Sequence, residues 1–227
     1  MPGDTDSFER HIVIQLKKTI VSFPIAALLI LLSYAVLDKK TAVLVKKLWF
    51  STNISLFSRN IPDFLPLLVL LITASAWITF FYLTRKGIYN THARFFQLIA
   101  ITVPLSNMVK VFFKFVFGRI NTRFWLHHPH AREFHWFHGS ANFSSFPSGH
   151  MAVFTVLIIA LSIFYPRYKA FYFAFLVVLA LALVVTNYHF VSDIIGGFYI
   201  GIIVHSMTHY CLARLRQSKN AGAVERG

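Results

Sequence analysis

Three short polar stretches interrupt an otherwise apolar chain, and their residue types suit the handling of phosphate. The first carries Lys114, Arg119 and Arg123, cations able to neutralise phosphate oxygens as charge builds in a transition state. The second runs Pro147, Ser148, Gly149, His150 and leads into an apolar segment. Ser148 is a good helix N-cap, and Gly149 leaves the unpaired N–H groups of the first turn open to an anion. His150, in that same turn, can give or take a proton beside the anion. The third stretch holds His189 and Asp193, four residues apart and so on one helical face. The carboxylate can hold one imidazole nitrogen and leave the other to act as a nucleophile. Taken singly, these are interface-anchoring cations, a helix cap and a helix-end pair. Taken together they describe metal-free phosphoryl transfer through a phosphohistidine.

The elements that must position these residues are read from apolar runs, since a helix needs about 20 apolar residues to cross a bilayer core. Runs of this kind lie near residues 19–37, 64–83, 95–116, 150–165, 170–188 and 194–212. They predict an all-α integral membrane bundle of six transmembrane helices, a single membrane-embedded domain over 1–227. Gly196, Gly197 and Gly201 offer close helix contacts in the last run. With short connections between antiparallel helices, the three polar stretches share one end of the bundle. Lys17 and Lys18 before the first run imitate a secretion signal. The run is too long and lacks a small-residue exit, so it reads as an uncleaved first helix. Residues 41–50, with Lys46 and Lys47, read as a segment along the membrane surface, and Trp49, Trp125 and Trp136 as interface aromatics.

Composition agrees. The 227 residues are 56% hydrophobic and only 13% charged, about half the charged share of a soluble domain. Lys and Arg number 22 against 8 Asp and Glu, and they sit at the ends of apolar runs, as membrane flanks do. No basic helix or aromatic platform suggests nucleic acid. The single cysteine, Cys211, excludes an intramolecular disulfide framework and any site of several thiolates. When the cations of residues 110–132 are set aside as functional, the remaining Lys and Arg favour the side of the termini, which predicts both termini in the cytoplasm.

On these residues the chain resembles the type 2 phosphatidic acid phosphatase superfamily, whose pattern is Lys-x6-Arg-Pro, Pro-Ser-Gly-His and Ser-Arg-x5-His-x3-Asp. The resemblance runs from about residue 95 to the end of the sixth helix. Residues 147–150 match in full, His189 and Asp193 match the end of the third motif, and Lys114 the start of the first. Asn121 and Thr122 stand where the family has Arg-Pro, and Ala182 and Leu183 where it has Ser-Arg. The resemblance implies His189 as nucleophile, Asp193 as its orienting carboxylate and His150 as general acid, with Lys114, Ser148 and Gly149 binding phosphate. Arg123 is the expected substitute for the missing first-motif arginine, with Arg119 in reserve. No cofactor or metal is implied. The implied activity is a lipid phosphate phosphatase at the outer face of a bacterial inner membrane, its substrate presented by the bilayer.

Two other readings share the same residues. A lipid phosphotransferase would pass the phosphoryl group to an alcohol instead of water, and a catalytically silent lipid-binding or transport protein would keep the fold alone, a reading prompted by the two absent arginines. His127, His128, His130, His135 and His138 crowd the segment before Pro147, but their spacing fits no zinc signature, and a polar lid or head-group contact is the simpler expectation. His205 and His209 read as packing or interface residues.

Overall fold

The computed structural model describes residues 12–14, 16–49 and 64–224, with the side chains of 49 and 219–224 outside the description. Its α-helices are α1 (Phe23–Leu32), α2 (Asp38–Trp49), α3 (Leu65–Arg85), α4 (Thr91–Phe117), α5 (Thr122–His127), α6 (Gly149–Phe164), α7 (Lys169–Val185) and α8 (Val191–Val224). Among the described residues there is no strand, only an isolated bridge between Arg119 and Phe134. The all-α membrane fold expected from the sequence is therefore the fold observed.

The count of six spans is not confirmed. Among the described residues four helices, Leu65–Arg85, Thr91–Phe117, Pro166–Val185 and Val191–Ser218, are long and apolar enough to cross a membrane. A fifth is added if Ile12–Val21 and Phe23–Leu48, bent by 40°, form one span. A shorter apolar helix, α6, has 16 residues, about 24 Å at 1.5 Å per residue and short of a ~30 Å hydrocarbon core. It can be short because it is wrapped by protein: Ala152, Val153, Val156 and Ala160 are fully buried, and α4, α7 and α8 all pack on it. Its polar start then lies within protein rather than in lipid, where backbone groups would go unsatisfied.

The first helix does not stop at residue 37. A π-helical turn, Ser33–Leu37, carries it without interruption into α2. Residues 41–49 thus continue the same helix instead of forming a separate segment. The reason is a protein-facing stripe: Ala42 and Val45 are buried, and Ala42 joins Ile120, Trp125 and Phe190 in a small core. Trp125 belongs to that core and is not an interface residue; Trp136 is exposed, and the Trp49 side chain lies outside the described residues.

Small residues set the α6–α8 crossing. A Cβ on Gly197 would strike the carbonyl of Ser148, and one on Gly201 would lie 2.6 Å from Thr155 Cβ. This close approach brings the N-termini of α6 and α8 together. Outward, α3 shows Leu67, Leu70, Leu71 and Ile78 and α7 shows Phe171, Val177, Val178 and Leu181, apolar faces suited to lipid.

Candidate active site

The site is built where α4 ends and α6 and α8 begin. Helix α4 stops at Gly118, which adopts a left-handed conformation (φ 48°) and whose N–H donates to Lys114 O over 2.9 Å. Only glycine fits there, since a Cβ would run into the backbone carbonyl of His135. The turn sends residues 119–121 alongside 133–135, with Ile120 N donating to Glu133 O and His135 N to Gly118 O. Arg119 is thereby aimed into the protein.

Arg119 is 2% exposed, and its guanidinium is committed to two carboxylates. Nη1 donates to Asp193 Oδ1 at 2.5 Å and to Ser192 Oγ at 2.6 Å, while Nη2 donates to Asp38 Oδ2 at 2.6 Å. The rings of Tyr34, Phe134 and Phe190 stand around it, the last 4.5 Å from the guanidinium carbon. Burial works against the charge, but Asp193 and Asp38 outweigh it and hold the guanidinium above its ordinary range. The structure therefore places Arg119 behind the histidine–aspartate pair rather than in an open phosphate cradle.

Asp193 lies in the first turn of α8 and is fully buried. Its Oδ2 accepts from Ser145 Oγ at 2.5 Å and from Phe190 N at 3.0 Å, and faces His189 Nδ1 at 3.5 Å. The last distance is long for a hydrogen bond but keeps carboxylate and imidazole in register. His189 is 5% exposed. Burial pushes its basicity below the ordinary 6.5, Asp193 pulls it upward, and the charges of Lys114 and Arg119 push it down again, for a net lowering. The ring is thus biased toward the neutral form that can attack phosphorus. The turn presenting it depends on Asn187, in a left-handed conformation (φ 50°) that asparagine tolerates well, with Tyr188 N and His189 N both donating to Leu183 O.

Ser148 caps α6, its Oγ accepting from Met151 N at 3.4 Å, and its own N–H donates to Asp193 O at 3.0 Å. The N-terminal ends of α6 and α8, each with a positive dipole end, are thus tied together. His150 sits half-buried in the first turn of α6, its ring 5.6 Å from that of Tyr188, which is 5.1 Å from the His189 ring. The Tyr188 ring thus neighbours both histidines. Arg123, on α5, reaches the same tyrosine: its guanidinium carbon is 5.2 Å from the Tyr188 ring and Nη2 donates to Thr186 O at 3.1 Å. An arginine thus occupies space beside the third motif, although the sequence has leucine at the matching position.

Sequence reasoning gave no specific role to four contributors. Asp38 and Ser192 hold Arg119, Ser145 holds Asp193, and Lys110 lies buried one turn before Lys114, where a Cβ on Gly149 would come within 3.2 Å of its Nζ. Lys110 and Asp38 had a readable signal, since charged side chains at the ends of membrane runs mark functional sites. Ser145 and Ser192 had none. In the histidine-rich segment His127, His128, His130 and His138 are exposed and His135 packs on Phe143. Among the described residues no three His, Cys, Asp or Glu side chains gather to hold a metal.

Comparison with known proteins agrees with this constellation. The family model described as the PAP2 superfamily, the type 2 phosphatidic acid phosphatases, matches residues 95–217. The chain belongs to the PAP2 superfamily. Among curated proteins, a lipid A 1-phosphatase of Rhizobium johnstonii is 32% identical over 78 residues, covering 34% of this chain and 32% of that protein. A lipid A 1-phosphatase of Rhizobium etli is 35% identical over 65 residues, covering 29% of this chain and 28% of the relative. The match thus spans about a third of the length of these relatives. No solved structure matches. This PAP2 member is a membrane protein, with the family region covering α4 through most of α8.

Proposed function

We propose that this PAP2 protein is a membrane lipid phosphate phosphatase that works through a phosphohistidine on His189, without a metal. The observation that carries the reading is the buried His189–Asp193 pair set against the capped N-terminus of α6, with His150 and Arg123 around Tyr188. In the first step His189 Nε2 attacks phosphorus and the bond to the lipid oxygen breaks, His150 giving the departing alkoxide its proton. In the second step water attacks phosphorus, His150 takes a proton from it, and the phosphorus–nitrogen bond breaks to release phosphate. Asp193 stabilises the positive phosphoimidazole, and catalytic hydrogen bonds of this kind shorten as the transition state forms. Lys114, Arg123, the Gly149 backbone and Ser148 bind phosphate oxygens. Arg119 is assigned a positioning role behind Asp193 instead of a phosphate contact, because both its Nη atoms already serve carboxylates and serine.

The substrate is a lipid phosphate, and the names of the two Rhizobium relatives make a lipid A phosphate the first to test. The site faces the exterior or periplasm of a bacterial inner membrane, with both termini cytoplasmic. Purified full-length protein in detergent should release inorganic phosphate from at least one member of a panel of lipid A, phosphatidate, phosphatidylglycerol phosphate and polyprenyl pyrophosphate. Release should continue in excess chelator. Labelled lipid products separate transfer to water from transfer to an alcohol. Silence across the panel, or loss of turnover in chelator restored by a divalent ion, would overturn the reading.

A further inference from the structure

The continuous helix α1–α2, which lies outside the matched family region, reaches into the site. Asp38 is 1% exposed, at the first residue of α2, immediately after the π-helical turn Ser33–Leu37. Such a turn changes the phase of a helix and is often found at functional sites. Asp38 Oδ2 accepts from Arg119 Nη2 at 2.6 Å and from Ser192 Oγ at 2.5 Å, and Oδ1 accepts from Ser192 N at 3.0 Å. The same carboxylate therefore caps the start of α8 and holds the arginine that holds Asp193. Tyr34, from the same helix, contributes a ring beside Arg119.

We propose that Asp38 is a positioning residue of this site, fixing through Arg119 and Ser192 the place and charge of Asp193 behind His189, so that the helix outside residues 95–217 is part of the catalytic apparatus. The inference rests on the phosphatase reading for its consequence in turnover.

The argument is one of charge and geometry. Asp38 and Asp193 share one guanidinium, so the buried trio carries one net negative charge, matched to the positive charge that the His189 ring acquires on phosphorylation. Without Asp38, Arg119 would be neutralised by Asp193 alone, and the carboxylate facing His189 would lose its surplus charge. Ser192 Oγ, which accepts from Arg119 and donates to Asp38, would also lose the acceptor that orients it.

The groups facing His189 are Asp193 on α8, Arg119 in the turn after α4, Lys114 on α4, and, across Tyr188, His150 on α6 and Arg123 on α5. Asp38 acts from behind Arg119. Replacing it by a neutral group leaves Arg119 balanced by Asp193 alone, and the proposal expects the His189 titration to move to lower pH.

The experiment uses the full-length protein in detergent, with histidine-selective NMR titration and steady-state kinetics on the best lipid phosphate of the panel. D38N is nearly isosteric and neutral, and D38E retains the charge; Asp38→Ser serves the same comparison if D38N does not fold. The proposal expects D38N to lower kcat at least tenfold with little change in KM, and to lower the His189 midpoint by about half a pH unit or more. D38E should keep the midpoint near that of the parent. The double variant D38N/R119M, which restores the net charge beside His189, should return the midpoint toward the parent value. A folded neutral variant whose His189 midpoint does not move overturns the proposal, whether or not activity falls, because a purely structural role would leave that titration unchanged. The titration needs no substrate, so a parent protein without phosphatase activity would overturn the functional reading while the reach of Asp38 onto His189 is still decided.

Discussion

In the proposed phosphatase, Arg123 is the arginine on which phosphate binding turns. It stands in no family motif position, yet its guanidinium lies over Tyr188, whose ring neighbours both histidines, and Nη2 donates to Thr186 O. A planar guanidinium at this place has the fork of donors that suits phosphate oxygens. A charged hydrogen bond of this kind contributes roughly 1.5–3 kcal/mol, and each 1.36 kcal/mol is a factor of ten in rate. Arg123→Ala should therefore cut kcat/KM by roughly 10- to 150-fold. The residue and the Tyr188 ring are both half-buried, and their stacking contributes about 1 kcal/mol, so the fold should survive. Arg123→Lys should recover little, because a point charge does not reproduce the fork. The assay is phosphate release across a range of substrate concentrations, with the melting temperature of each variant as the folding control. Near-parent kcat/KM for folded Arg123→Ala would refute the reasoning and return the missing arginine to another group, Lys110 being the nearest buried cation to Gly149.

Other expectations follow from the same geometry. Gly118→Ala should destabilise the protein by more than the ~1–2 kcal/mol of a left-handed residue, since the added Cβ meets the His135 carbonyl, and it should lower turnover by displacing Arg119; an unchanged melting temperature would contradict this. His189 should titrate below 6.5, so that acid inactivation attributable to it sets in only below that pH, and Lys114→Met should raise the midpoint by removing a repelling cation; NMR titration reads both.

Much of the candidate site was legible because the handling of phosphate demands particular residue types at particular spacings. Residues 147–150 and the His189–Asp193 pair could be placed at helix starts from sequence, and the structure does bring these ends together. What was not legible depends on long-range packing. The direction of Arg119 is set by the left-handed Gly118 and by pairing with residues 133–135, so a cation that sequence reasoning gave to phosphate points inward. The link from Asp38 to Ser192 spans 154 positions and has no local signature. The first helix outran its apolar stretch because Ala42 and Val45 found protein to pack against, and α6 stayed short because its neighbours cover it. Hydropathy reads lipid-facing length, and both departures come from helices satisfied by protein instead.

The central claim is that His189 carries the phosphoryl group. Rapid acid-free quenching of the full-length protein with phosphorus-32-labelled lipid phosphate, followed by peptide mapping, tests it most directly. The expected result is a covalent label that is stable to alkali, labile to acid and located on His189, absent from His189→Ala and diminished in Asp193→Asn. Parent-rate phosphate release by His189→Ala, or a label on any other residue, would contradict it.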